Sequence, residues 1–109
     1  MMNRMTTIES KENDKVAFCI EILRKFLRDI EKQFKVNYLG IFGSYVRNEQ
    51  EEYSDIDILV DFFEVPSLFQ FIRLENYLSE LLQIKVDLVM KEALKPNIGK
   101  RILKEVIEI

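Results

Sequence analysis

The sequence predicts an α/β fold of the α+β kind, a small mixed β-sheet flanked by helices, in the order α-β-α-β-α-β-α. Short apolar segments alternate along the chain with longer segments in which apolar residues recur every three or four positions. Proline, glycine and serine stand at several borders between these segments. The 109 residues match the size of one domain, so we expect a single domain over 1–109, with 1–9 frayed.

The first half of the chain predicts one long helix and one buried strand. A helix is expected over about 10–34, because apolar residues recur there at helical spacing between charged ones. These residues are Val16, Cys19, Ile20, Leu23, Phe26, Leu27, Ile30 and Phe34. The strand VNYLGIF follows at 36–42, and Gly43 ends it. Ser44 is suited to cap a short helix over about 44–48.

The second half predicts two more strands and two more helices. After a polar loop over 48–54, DIDILVDF at 55–62 is apolar enough to be a strand. A helix is expected from Pro66 to about residue 82, and the strand IKVDLVM follows at 84–90. Pro96 begins the last helix. The apolar residues on one side of that helix are Ile98, Ile102, Leu103, Val106 and Ile107.

Composition excludes several classes of protein. Sixteen Lys and Arg against 19 Asp and Glu give a net charge of -3, which is unlike a protein that coats nucleic acid. One cysteine and no histidine exclude an intramolecular disulfide, a cysteine zinc cluster and histidine catalysis. No apolar run approaches the ~20 residues of a membrane span, and the first residues lack a signal peptide's apolar segment. We therefore expect a cytoplasmic protein.

Three aspartates are candidate metal ligands. Asp55 and Asp57 are two apart on a predicted strand, so both carboxylates project from one face and repel each other unless a cation is present. Oxygen ligands favour Mg²⁺ or Mn²⁺. Asp87 lies in an otherwise apolar strand and joins them if the two strands are neighbours. The simpler alternatives are a solvated acidic pair and a salt bridge from Asp87 to Lys85 or Lys91.

A second candidate site lies at the turn after the first strand. Gly43 allows close approach of the backbone to a ligand, and the free N–H groups that follow suit a phosphate. Ser44 adds a hydroxyl, and Arg47 adds a guanidinium one turn later. The alternative is an ordinary strand–helix turn with a surface arginine. Together, a phosphate-binding turn and a carboxylate cluster indicate metal-dependent phosphoryl or nucleotidyl transfer.

The segment GSYVRNEQEEYSDIDILVDF, residues 43–62, resembles the signature of the DNA polymerase beta-type nucleotidyltransferases. That signature is Gly-Ser, ten residues, then Asp-x-Asp, and Asp87 matches the family's third carboxylate on a later strand. Within the superfamily the chain is similar, over nearly its whole length, to the minimal nucleotidyltransferases of prokaryotes. One departure is Asn48, where members often carry glycine after the arginine; asparagine tolerates the left-handed conformation.

The resemblance implies roles for the acidic residues. Asp55 and Asp57 would bind two Mg²⁺ ions, or Mn²⁺, together with the triphosphate of ATP. Asp87 would bind the catalytic metal and help to deprotonate the acceptor hydroxyl. The acceptor oxygen would attack the α-phosphorus, pyrophosphate would leave, and AMP would be transferred.

The resemblance also implies roles for the turn residues. Gly43 and Ser44 would hold the β- and γ-phosphates, and Arg47 would support those phosphates or steady the loop. Ser54, directly before the paired aspartates, is counted with the nucleotide-binding residues.

The resemblance further implies a partner. Minimal nucleotidyltransferases are typically paired with a HEPN-domain RNase toxin, which they neutralise as antitoxins by transferring AMP from ATP to a toxin tyrosine. We therefore expect a hetero-oligomer with such a toxin, and neither a membrane nor a direct nucleic-acid substrate. Two alternatives remain: a non-catalytic antitoxin that occludes its toxin, and a transferase for a small, aminoglycoside-like acceptor. Three phenylalanines within 62–69 most simply cap the core, although they could face a partner or stack on adenine.

Overall fold

The computed structural model describes residues 11–109, and side chains from Lys15 onward. The segment 1–9, which was expected to be frayed, lies outside the described residues. The elements are α1 (Lys11–Phe34), β1 (Val36–Phe42), β2 (Ile56–Phe62), α2 (Leu68–Leu82), β3 (Val86–Met90), a 3-10 turn (Lys91–Ala93), α3 (Pro96–Glu105) and β4 (Ile107–Glu108). No helix within the described residues is long and apolar enough to cross a membrane.

The four strands form one mixed sheet in the order β3-β2-β1-β4. β1 pairs antiparallel with β2 and with β4, whereas β2 and β3 are parallel. A parallel pair needs a crossover connection, and α2 supplies it between β2 and β3. The predicted fold class, a small mixed sheet flanked by helices, is confirmed.

The core lies between one face of the sheet and helices α1 and α2. Ile56, Ile58 and Val60, at alternate positions of β2, are fully buried in a cluster with residues of both helices. The helix residues of that cluster are Cys19, Leu23, Ile30, Leu74, Leu78 and Leu82. Because successive side chains of a strand point to opposite faces, Asp57 projects from the other face. The packing of β2 against the helices thus decides which face carries the acids.

The segment expected as a short helix over 44–48 forms a series of turns instead. The N–H groups of Val46 and Arg47 both donate to the Gly43 carbonyl, at 3.0 and 3.1 Å. Asn48 then adopts a φ of 59°, which ends the helical path after one turn. The expected tolerance of asparagine for the left-handed conformation at this position is confirmed.

The last helix is shorter than expected, and a fourth strand follows it. α3 ends at Glu105, and Ile107 pairs with Ile41 of β1 rather than continuing the helix. The N–H of Ile109 donates to the Leu39 carbonyl at 2.8 Å. This pairing satisfies backbone groups on an edge of β1 that would otherwise lack partners. The observed order of regular elements is therefore α-β-β-α-β-α-β.

Substitutions on the buried face of α2 should destabilise the protein more than substitutions at its exposed first turn. Leu78 is fully buried, so Leu78→Ala should lower the free energy of unfolding by about 2–5 kcal/mol through lost packing and a residual cavity. Leu68 in the same helix is 73% exposed, and Leu68→Ala should change stability by less than about 0.5 kcal/mol. Urea unfolding of both variants measures this. Equal losses would contradict the described packing of α2.

Candidate active site

The candidate site lies where β1 ends and β2 begins. Antiparallel pairing places Phe42, the last residue of β1, opposite Asp57. The next residue, Gly43, therefore lies against the Asp57 side chain. A Cβ atom at Gly43 would overlap the Asp57 Oδ2 atom, and Gly43 also has a φ of +84°. Two independent constraints, space and backbone conformation, thus require glycine at this turn.

The parallel pairing of β2 with β3 brings a second acid to the same place. Asp57 and Asp87 are register partners, and the charge of Asp87, after burial, contributes to a raised pKa of Asp57. Asp55 lies just before β2, two residues from Asp57. The structure therefore brings the three predicted carboxylates to one edge of the sheet. Their roles in metal binding and catalysis remain predictions.

The surroundings of Asp87 differ from those that the apolar pattern of its strand suggests. Its side chain is exposed, because β3 is an edge strand of the sheet. Among the residues that the structure describes, neither Lys85 nor Lys91 forms an ion pair with it. The Lys91 ammonium instead lies 4.4 Å from the centre of the Tyr38 ring. Asp87 is thus open to an approaching ligand.

The crowding of carboxylates is greatest at Asp57, which is partly buried. Burial, followed by the charges of Asp87 and Asp55, raises the pKa of the Asp57 carboxyl to about 6. The nearby Arg47 charge acts in the opposite direction. A bound cation would remove the repulsion that disfavours the ionised form.

The three aspartates have the donor atoms that Mg²⁺ prefers, but their side chains are not arranged to coordinate an ion. Within the described part of the chain, no group of three acidic or sulfur side chains is placed so that it could hold a metal ion. The carboxylates of Asp55, Asp57 and Asp87 are nevertheless the hard oxygen donors that Mg²⁺ and Mn²⁺ prefer. After burial, the charges of Asp87 and Asp55 are the next causes of the raised pKa of Asp57, so negative charge is concentrated at this point. The donor set therefore fits a divalent cation, provided that the side chains rotate.

The turn that was predicted to bind phosphate holds a carboxylate of the protein itself. The Gly43 N–H donates to Glu105 Oε2 at 2.7 Å. Arg47 Nη1 donates to both carboxylate oxygens of Glu105, at 2.9 and 3.0 Å, and Arg47 Nε donates to Glu49 at 2.9 Å. These bonds to Glu49 and Glu105 raise the pKa of Arg47 above its ordinary value, so the guanidinium stays charged.

Glu105 is a residue of this site that sequence reasoning missed. It lies 62 positions after Gly43, at the end of α3, and no local motif links the two. One weak signal exists: an acidic residue at a helix C-terminus faces the negative end of the helix dipole, and so needs a compensating partner.

Two serines flank the site in different ways. Ser44 follows Gly43 and is partly buried, and its carbonyl accepts the Glu49 N–H at 2.8 Å. The Ser54 hydroxyl accepts the Glu51 N–H at 2.7 Å, and the Ser54 carbonyl accepts the Tyr45 hydroxyl at 3.2 Å. Ser54 thus fixes the loop that leads into the paired aspartates. Nucleotide binding by either serine remains a prediction.

An open cavity of about 500 Å³ lies beside Asp55. Exposed aromatic rings of Phe18 and Tyr53 and the basic side chains of Lys15 and Lys85 contribute to its lining. This volume is within the range of small-molecule sites. Of the three acids only Asp55 lines this cavity, and neither Gly43 nor Arg47 does, so the cavity adjoins the site without containing it.

The repulsion at Asp57 predicts a pH-dependent gain of stability in Asp57→Asn. The folded pKa of about 6 exceeds the ordinary value of 3.8, so the stabilisation belongs to the protonated form and is lost as pH rises through about 6. A pKa difference of about 2 corresponds to at most roughly 3 kcal/mol, and partial solvation reduces it to about 1–2 kcal/mol. Urea unfolding without metal should therefore show Asp57→Asn more stable than wild type at pH 7.5, with the difference shrinking towards pH 4.

Asp29→Asn, an exposed change on α1, is the control and should alter stability by less than about 0.5 kcal/mol at either pH. A loss of stability in Asp57→Asn at pH 7.5 would contradict the repulsion.

The close approach at Gly43 predicts a large effect of a single methyl group. Gly43→Ala should lower the free energy of unfolding by roughly 2–4 kcal/mol, because alanine is strained at positive φ and its Cβ meets the Asp57 carboxylate. Gly99→Ala is the matched control. Gly99 lies within α3, and a Cβ atom there would be 3.4 Å from Leu94 Cβ, which is an ordinary van der Waals contact. It should be neutral or stabilising by up to about 1 kcal/mol. Equal stability of both variants would exclude the tight contact.

Comparisons with known proteins agree with this geometry. The profile of the Nucleotidyltransferase domain matches residues 20–109. A Thermococcus cleftensis protein named protein adenylyltransferase MntA is 52% identical over 88 residues, which cover 81% of this chain and 89% of the relative.

Solved structures show the same fold. One that is provisionally described as a minimal nucleotidyltransferase has a TM-score of 0.64 at 28% identity, covering 95% of this chain and 94% of that chain. Another, from the complex of the tri-AMPylated Shewanella oneidensis HEPN toxin with an MNT antitoxin, has a TM-score of 0.53 at 22% identity. It covers 89% of this chain and 67% of that one. From the motif, the fold and these matches together, the chain belongs to the nucleotidyltransferase family.

Proposed function

We propose that this protein is a protein adenylyltransferase and antitoxin, which transfers AMP from ATP to a tyrosine hydroxyl of a partner HEPN-domain toxin and so neutralises it. The observation that carries the proposal is the contact between the two halves of the site. Gly43 of the turn lies against Asp57, which is the register partner of Asp87 on the neighbouring strand. Triphosphate and metal would therefore meet at one point of the sheet.

The acids and the turn residues would have different roles in the transfer. Asp55, Asp57 and Asp87 would hold Mg²⁺, which neutralises phosphate charge and orients the triphosphate when it is bound. The Gly43 N–H and the Arg47 guanidinium would hold the outer phosphates.

Asp87 is the acid best placed to receive a proton from the acceptor. Its side chain is exposed at the edge strand, where a hydroxyl from a second molecule can reach it. The acceptor oxygen forms a bond to the α-phosphorus, the bond from that phosphorus to the pyrophosphate oxygen breaks, and the hydroxyl proton passes to Asp87 and then to water. This route needs no histidine, which the chain lacks.

An exposed apolar surface favours a protein acceptor over a small molecule. The expectation that the phenylalanines of 62–69 cap the core is wrong for two of them, since Phe63 is 72% exposed and Phe69 is 81% exposed. Val65, Leu68 and Ile72 are also exposed nearby. Several exposed apolar side chains within one short segment are typical of protein–protein contacts. They therefore support a partner protein as the acceptor.

One observation favours the alternative of a binding-only antitoxin. The Gly43 N–H and Arg47 are both engaged by Glu105, so the phosphate-binding groups are already paired within the protein. An antitoxin that acts by occlusion alone would, however, have no use for three carboxylates gathered at one edge.

The decisive experiment is the intact mass of the HEPN-domain protein encoded beside this gene, after incubation with this chain, ATP and Mg²⁺. We expect mass additions in AMP-sized steps that are lost when Mg²⁺ is chelated. Asp57→Asn should slow transfer by roughly a hundredfold or more, because it removes a metal ligand. Tandem mass spectrometry identifies the modified residue.

Asp61→Asn is the matched control, because it makes the same chemical change four positions further along β2, on the same face but away from Asp87. It should transfer AMP at close to the wild-type rate. A stable complex with no mass change would instead establish the binding-only antitoxin. Transfer by Asp57→Asn at the wild-type rate would overturn the metal-ligand assignment.

A further inference from the structure

Glu105 occupies the position in which the outer phosphates of a nucleotide are expected. One carboxylate oxygen, Oε2, accepts hydrogen bonds from both the Gly43 N–H at 2.7 Å and Arg47 Nη1 at 3.0 Å. The other oxygen accepts from the same Arg47 nitrogen at 2.9 Å. A glycine-turn N–H and a guanidinium converging on one anionic oxygen is the arrangement by which proteins hold phosphate.

The two uses of the turn exclude each other. Each backbone N–H supplies one hydrogen, and at 2.7 Å the Gly43 hydrogen is fully engaged with Glu105. A phosphate oxygen bound to the same N–H would lie against the Glu105 carboxylate, and two anions at that distance repel strongly. A phosphate can therefore bind at Gly43 only after the Glu105 side chain has left.

The backbone around Glu105 allows the side chain to leave without unfolding. Glu105 is the last residue of α3, and the chain continues directly into β4, where Ile107 pairs with Ile41 and Glu108 with Gly40. This pairing anchors the main chain beside the end of β1. The Glu105 side chain remains 23% exposed, so rotation into solvent is open to it.

We propose that Glu105 is an internal competitor for the phosphate site, which sets the affinity of the site for the triphosphate and is displaced when the nucleotide binds. The inference rests on the proposed function in one respect, that the turn binds the phosphates of a nucleotide. The apparent affinity of such a site is reduced by the fraction of time for which its own carboxylate fills it.

Glu105 could instead act only by positioning Arg47, and the neighbouring Glu49 allows this to be tested. Both acids pair with Arg47, at 2.9 Å each, but only Glu105 also accepts the Gly43 N–H. Loss of a purely positioning acid should weaken anion binding or leave it unchanged. Loss of a competitor should strengthen it.

The experiment measures binding of inorganic pyrophosphate by titration calorimetry, without metal, to wild type, Glu105→Gln, Glu105→Asp and Glu49→Gln. Glu105→Gln should bind pyrophosphate roughly tenfold more tightly than wild type, as expected if the carboxylate fills the site about nine-tenths of the time. Glu105→Asp keeps the charge but shortens the side chain, and should also bind more tightly. Glu49→Gln should stay within about threefold of wild type, as for an exposed ion pair.

The Gly43 amide supplies a second readout that a merely structural role would not move. The chain has only three glycines, so the ¹⁵N–¹H resonance of Gly43 is readily assigned. Both pyrophosphate and the Glu105→Gln change should shift this resonance, and Glu49→Gln should leave it in place. Circular dichroism of each variant verifies that the fold is retained.

Unchanged or weaker pyrophosphate binding by Glu105→Gln would overturn the inference. So would tighter binding by Glu105→Gln while Glu105→Asp matches wild type, since only a general charge effect would then remain. A Gly43 resonance that pyrophosphate does not move would overturn it as well. Because the assay needs neither ATP nor a partner, an absence of AMP transfer alongside the expected competition would refute only the proposed function.

Discussion

The contact between Gly43 and the Asp57 carboxylate is the constraint on which the rest of the site depends. It exists because Phe42 pairs with Asp57 across β1 and β2, and because Asp57 pairs in turn with Asp87 across β2 and β3. The pairing of these residues across three adjacent strands thus aligns the turn after β1 with two acids. A slip of one residue would send Asp57 to the apolar face and separate all three. The helices that bury Ile56 and Ile58 fix that register.

Among the described residues, the acidic cluster of the site lacks a paired cation, whereas the one arginine of the turn is paired with two other acids. Burial, and after it the charges of Asp87 and Asp55, raise the pKa of Asp57 to about 6, because the ionised carboxylate is poorly solvated and is repelled by its neighbours. The adjacent positive group, Arg47, is divided between two further acids, Glu49 and Glu105. A bound divalent cation would relieve the first arrangement, whereas an incoming phosphate would have to compete with the second. The proposed metal site and the proposed phosphate site therefore differ in their electrostatic conditions.

Exposed apolar side chains lie away from this site, beyond the end of β2. The buried cluster of β1, β2, β3 and the two long helices accounts for the core, whereas Phe63, Val65 and Phe69 are left in solvent between β2 and the start of α2. Exposing such side chains without a partner is unfavourable. Asp57 pairs with the last residue of β1 and Phe62 with its first, so this surface lies at the opposite end of β2 from the acids. A partner docked there would have to extend along the sheet to bring its acceptor hydroxyl to the acids.

Local patterns in the sequence determined most of the fold and the main parts of the site. β1 was predicted with its observed bounds, and the other two long strands to within two residues, because apolar runs and their borders are local signals. The Gly-Ser turn and the paired aspartates follow from spacing and residue type. The left-handed Asn48 follows from the family resemblance, in which glycine is usual at this position, and from the tolerance of asparagine for that conformation. These features depend on neighbours a few positions away, which the printed sequence displays directly.

The tertiary structure alone decided the features that join distant segments. β4 is only two residues long, too short for any pattern, and forms because the free edge of β1 needs hydrogen-bond partners. Asp87 is exposed because the strand order places β3 at an edge, which its apolar sequence does not reveal. Glu105 reaches Gly43 across 62 positions, through the path of α3 and the pairing of β4. Such contacts depend on how the elements pack against each other. That packing is determined by all of the elements together and not by any local pattern of residues.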